Sequence, residues 1–192
     1  MSIDAATAER LIRDNASFDF GKFYGTLNSE AGLIGAGMLL PTARYAVYEQ
    51  ETGLFNTHEG PAIILTHECD IDQQNQRPFN ELLIVCPIVL LEKFVDEFDN
   101  DPSSQGKLRS FLENLGRNMI NRVMYLPPLH NGFLPFGGLL YFNQLSHTHI
   151  NSVAIENENH FLSAYGLQHF DFKITNHLLR PKSAALPLQL VR

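Results

Sequence analysis

One short run of this chain concentrates side chains that could do chemistry: Thr66, His67, Glu68, Cys69 and Asp70 follow one another where an apolar segment gives way to a polar one. Cys69 could serve as a nucleophile if a neighbouring imidazole lowers its pKa and a further group orients that imidazole. His67 would be the base, with His147 or His149 as its substitute, and Asp70 or Asp72 the orienter. If the extended backbone continues past Thr66, His67 and Cys69 point to one side and Glu68 and Asp70 to the other. The structural alternative is a buried thiol at Cys69 with Asp70 capping the turn in Asx fashion. Metal binding is the other chemistry these residue types allow. His67 and Cys69 could join His147 and His149, whose two-residue spacing puts both imidazoles on one face of a strand, and such a set would suit zinc. No paired CxxC and no HExxH accompany them, so no cofactor is expected and zinc is the one candidate. Thr66, Glu68 and Asp72 remain as binding residues around the same corner.

The elements that would have to position this run can be read from periodicity. Residues 61–66 and 81–88 are apolar on both faces and read as two central strands, with the polar residues 67–80 running over the surface between them. Residues 45–48 favour a strand, whereas His58, Glu59 and His160 fall in expected turns. An amphipathic helix is expected over 5–15, capped by Asp4. The glycine-rich segment 18–40 predicts tight turns in place of regular structure. Helices are expected over 90–98 and 106–116, separated by a solvated insert at 99–104. Strands are expected over 120–126 and 138–142 and near 145–155, and a last helix over 160–180, weakened at Gly166 and stopped by Pro181. The barrel-like sheet with its inserted helices would thus occupy 44–155 of a single domain spanning 1–192. Strands and helices that do not alternate regularly predict an α+β fold, with a small, curved, mostly antiparallel sheet carrying helices on one side.

Composition narrows the partners. Fourteen basic against 21 acidic residues leave a formal charge of −7, which disfavours a nucleic-acid backbone as ligand. Only two cysteines occur, no apolar run approaches the roughly 20 residues of a membrane span, and the first residues lack a basic stretch followed by an apolar one. A cytoplasmic protein with reduced thiols is the expectation, although a Cys69–Cys86 disulfide is open if their strands are neighbours.

From Gly60 through Ile71, GPAIILTHECDI, the chain resembles uncharacterised bacterial proteins with a Ser/Thr-x-x-Cys-Asp segment after an apolar strand, which are themselves similar to the PemK-type small β-barrel. Tyr125-Leu126-Pro127-Pro128 and Leu179-Arg180-Pro181 fit the same layout loosely. The resemblance implies an SH3-like barrel. PemK-type toxins are ribonucleases whose strand begins Arg-Pro, and Gly60-Pro61 stands at that place here, so the catalytic arginine is not matched. Fold transfers more readily than activity across such a resemblance. With no complete catalytic signature, the leading expectation is a non-catalytic binding or regulatory module that meets a protein partner, or a second copy of itself, through the 67–80 loop and nearby apolar surface. A hydrolase or nuclease-like enzyme centred on Cys69 is the alternative.

Overall fold

The computed structural model describes residues 2–26, 34–72, 78, 81–98, 101–129, 132–153 and 160–178. Parts of the expected surface loop at 67–80, and everything after residue 178, lie outside the described residues.

Strand β1 (Tyr24–Thr26) follows a single 3-10 turn at Phe20–Lys22. Two long strands then run as β2 (Met38–Glu49) and β3 (Leu54–Ile64). The short helix α2 (Glu68–Ile71), β4 (Leu82–Leu90) and α3 (Leu91–Asp96) come next, and α4 (Pro102–Gly116) leads into β5 (Val123–Leu126). The chain finishes with β6 (Gly138–Tyr141), β7 (Ser146–His149), β8 (His160–Leu162) and α5 (Ala164–Leu178), while α1 (Ala5–Asp14) precedes them all. The strands form one open antiparallel sheet in the order β1-β8-β2-β3-β4-β6-β5, with β7 also paired to β4. The α+β class and the curved antiparallel sheet are therefore as the sequence predicts.

Curvature has a local cause. Between Leu40 and Ala43 the β2–β3 register slips by a residue, at Pro41, which has no N–H to give a ladder. Past that bulge β2 leaves the plane, and the ring of Tyr45 closes over Gly60, where a Cβ would stand 2.9 Å from the phenol oxygen. The bent half of β2 reaches β7 without a ladder. Ser146 Oγ donates to Ala46 O at 2.8 Å and accepts from Ala46 N at 3.1 Å, and Ala43 bridges to Val153. Inside this curl sit Met38, Leu40, Ala62, Ile64, Leu83 and Val85, with Ile71 of α2 anchored among them.

The other two cores lie on opposite faces of the β5–β6 end. Val123, Tyr125 and Leu139 pack against Ile12 of α1, Leu91 of α3 and Leu108 and Leu112 of α4. Their alternating neighbours Met124, Leu126 and Leu140 pack with Phe170 of α5. Helices thus cover both faces of this end, where one covered side was expected, because β5 and β6 are apolar throughout and need two partners.

Other expectations change as well. The segment 18–40 holds β1 and the start of β2. His58 and Glu59 lie inside β3, not in a turn. Residues 160–162 form β8, and the last helix starts only after Ser163, whose Oγ accepts from Gly166 N at 3.1 Å as its cap. Gly166 does not merely weaken that helix, since it is buried where α5 crosses Phe23 and a Cβ would run into the Phe23 carbonyl. Helix α4 begins four residues earlier than expected, with Pro102 in its first turn and Asp101 accepting from Ser103 N at 2.9 Å and Ser104 N at 3.1 Å. Among the described residues no helix is long and apolar enough to cross a membrane.

Candidate functional site

The run Thr66 to Asp70 lies at the corner where β3 ends. Ile64 is its last strand residue, and two residues further on a side chain replaces the backbone as ladder partner. Leu65 N donates to Ile84 O at 2.9 Å, and Thr66 Oγ1 accepts from Ile84 N at 2.7 Å, so a hydroxyl completes the edge of β4. His67 then turns the chain into α2. Its Nδ1 accepts from Cys69 N at 3.3 Å, the role an Asn, Asp or Ser usually takes at a helix N-cap. The chain therefore does not continue extended through 67–70 but makes a helical turn, and His67 is its N-cap. Asp70 sits within α2 and gives its N–H to His67 O at 2.9 Å, while Asp72 closes the turn through its N–H to Glu68 O at 3.0 Å. Glu68 lies against Gly35, with its Oε1 3.6 Å from His67 Nε2.

These contacts define what the imidazole can do. The lone pair of Nδ1 is engaged by a backbone N–H, and Nε2 faces the Glu68 carboxylate, so His67 is set by its neighbours as a cap. Cys69 is exposed, Cys86 is buried, and no disulfide joins them. Burial pushes the Cys86 thiol up to about 12, and its Sγ donates to Tyr141 O at 3.5 Å, which makes it a core group.

His147 and His149 do share the outer face of β7, since Ser146 and Thr148 point inward. They pair across from Ile84 and Leu82 of β4. Thr66 binds the opposite edge of that same strand, so β4 stands between the two halves of the four-residue metal set, at about 10 Å for two strand spacings. His149 is further committed: Nδ1 accepts from Asn151 N at 3.1 Å and Nε2 lies 3.1 Å from Glu81 Oε2. Among the described residues no three His, Cys, Asp or Glu side chains cluster as metal ligands.

Two features escape a reading of the sequence. One is a cleft of about 340 Å³ between the 3-10 turn and the Pro127-Pro128 connector, lined by Arg13, Phe20, Tyr24 and His160. Its walls are tied to the protein itself: Arg13 stacks 4.9 Å over Phe20 and pairs with Glu9, and Tyr24 Oη donates to Pro127 O at 2.6 Å. The other is the outer half of the β2–β3 hairpin. The β3–β4 ladder begins only at Ala62, so beyond it the two strands pair with each other as an arm, closed at a four-residue turn in which Gly53 takes φ +69°. At its tip Leu54 and Phe55 are 62% and 72% exposed, and Tyr48, paired with Phe55 at 5.3 Å between ring centroids, is 52% exposed. The tell-tale in the sequence is Tyr48 and Leu54-Phe55 flanking Thr52-Gly53, a turn between two short apolar patches.

Comparisons with family models, with curated proteins and with solved structures each find no match to this chain.

Proposed function

We propose that this chain is a protein-binding module of the cytoplasm, and that it meets its partner through the β2–β3 arm. The observation that carries this reading is the exposed Tyr48–Phe55 pair, with Leu54 exposed on the opposite face, at the tip of the β2–β3 hairpin; none of the three belongs to a core. Large aromatic side chains left in water are the groups whose burial contributes most to an interface. The arm is also stiff enough to present them. Seven consecutive pairs from Ala43–Gly60 to Glu49–Leu54 join its strands, and the Arg44–Glu59 ion pair and the His58 Nε2–Glu49 Oε1 contact at 3.2 Å flank them. The corner at Thr66 to Asp70, by contrast, spends its hydroxyl, imidazole and backbone groups on holding β3, α2 and β4 together. The PemK-type likeness enters this reading as a likeness of fold, with no nuclease activity attached.

The test is photocrosslinking in cells with p-benzoylphenylalanine at position 55, compared with the same probe at Met119, which is as exposed but lies far along the chain from the arm. Protein adducts are expected at 55 and lost when Tyr48→Ser is added. Adducts no more abundant at 55 than at 119 would overturn the reading.

A further inference from the structure

The arm has an open edge as well as an apolar tip, and its geometry is self-complementary. We propose that a second copy of this chain pairs with it, edge to edge and antiparallel, about a two-fold axis at Thr57; the proposal rests on the reading of the arm as a protein-binding element.

The direction of the backbone groups on that edge follows from a side-chain contact on the far side of the hairpin. Ser146 Oγ binds both N and O of Ala46, so both main-chain groups of Ala46 face β7 and neither faces β3. In an antiparallel ladder, opposite residues either exchange both hydrogen bonds or turn both groups away. Ala46 is paired with Thr57, so the N–H and C=O of Thr57 point outward from β3. The alternation of the ladder gives Phe55 and Glu59, paired with Tyr48 and Arg44, the same outward groups. Among the described residues no strand takes them up, because the β3–β4 ladder starts at Ala62.

A two-fold axis at Thr57 sets Thr57 opposite its own copy and Phe55 opposite Glu59 of the second chain. All three facing pairs then have both donor and acceptor turned to each other, and form the hydrogen-bonded kind of antiparallel pair. The side chains agree with that register. Thr57 meets Thr57, a favourable cross-strand pair, and Asn56 meets His58. The chain carries a net charge of −7, which opposes self-association in general, but Glu59 is the only carboxylate in residues 54–60. It is paired with Arg44 at 3.0 Å, and the register places it against Phe55 instead of against its own copy. Neither Lys nor Pro, the residues that commonly blunt an exposed edge, occurs between 54 and 60. The exposed Phe55 would be covered in the same step.

Sedimentation velocity over a range of concentrations tests this, beside two kinds of variant. The wild type is expected to shift from monomer to dimer as concentration rises. Thr57→Pro removes an N–H that β2 does not use, so it should keep the hairpin and abolish the dimer. In a Cys69→Ser background, Thr57→Cys should oxidise to a covalent dimer, since facing Cα atoms in such a pair stand about 5.5 Å apart, within disulfide range. Asn56→Cys should not, its copies being offset to about 8 Å. A wild type that is monomeric at every concentration overturns the proposal, as does a dimer that persists in folded Thr57→Pro or an Asn56→Cys that crosslinks as well as Thr57→Cys. If Thr57→Pro fails to fold, the two cysteine variants decide alone. A monomeric wild type whose position 55 still crosslinks to a different protein would sink the self-pairing and leave the binding arm standing.

Discussion

Lys173 gives the sharpest quantitative test of how this fold is held. Its side chain is 2% exposed on α5, and Nζ donates to Asn118 O at 3.1 Å and Ile120 O at 2.6 Å. Those carbonyls belong to the turn that leaves α4, where Asn118 takes the left-handed conformation at φ 59°, and the amine serves as their donor from across the core. Burial pushes its pKa down from 10.5 to about 8. Below pH 8 the folded protein thus carries a buried ammonium. Between pH 8 and 10.5 it has released that proton while the unfolded chain still binds it, so stability rises with pH across this window. Integrated from pH 7 to pH 9, the gain is on the order of 1 kcal/mol. Lys173→Met keeps most of the apolar stem and removes the titration. At pH 7 it loses two donors, at about 1 to 3 kcal/mol for a carbonyl left unsatisfied, but is relieved of the buried charge, so the terms offset one another.

The assay is urea unfolding of both proteins by far-ultraviolet circular dichroism at pH 7, 8 and 9. The wild type should gain on the variant by about 1 kcal/mol over that range. Other groups titrate too, in the opposite sense. Burial holds the thiol of Cys86 up to about 12 and raises the phenols of Tyr24 and Tyr125, so each costs stability once the unfolded chain begins to ionise. Both proteins share those groups, and the difference between the two curves removes them. Parallel curves from pH 7 to pH 9 would refute the reasoning, since an amine that titrates alike in both states is not desolvated.

Two further outcomes follow from the corner at the end of β3. Thr66→Val leaves Ile84 N without its acceptor and should lower stability by about 1 to 3 kcal/mol in chemical unfolding, whereas Thr66→Ser, which keeps the oxygen, should cost well under half as much. In thiol labelling of the native protein, Cys69 should react at once and Cys86 only as the chain unfolds; Cys86 labelling at a rate independent of added urea would contradict its burial.

Much of the fold was legible because the strongest signals are local. The apolar runs around Ile63 and Val85 became neighbouring strands, and Asp4 caps α1 through Thr7 N at 2.8 Å as its position suggests. What the sequence concealed depends on partners distant along the chain. Phe161 and Leu162 continue the apolar spacing of α5, yet they pair with Met38 and with Gly25 and Tyr24, and only Ser163 marks where the strand stops. Residues 54–60 look like a loop, since a strand exposed on both faces carries no apolar alternation. Lys173 gave no sign of burial, because the two carbonyls that bind it lie more than 50 residues earlier.

The polar density of the candidate site has a related physical reading. A hydroxyl, an imidazole, a thiol and two carboxylates in five residues look like chemistry because each can act on a substrate, but each can equally satisfy a backbone group that a corner leaves bare. At the end of β3 the backbone changes partner twice within four residues, from the ladder with β4 to the turn of α2, and every change strands a donor. Thr66 accepts the one from Ile84 and His67 the one from Cys69, so polar density here measures how sharply the chain turns. The arm shows the converse. From 43 to 49 and from 54 to 60 the two strands satisfy each other on one edge, so no polar cluster is needed there. Among the described residues no strand takes up the row of outward backbone groups beside the exposed aromatic pair, and that kind of surface is completed by another chain more readily than by a small substrate.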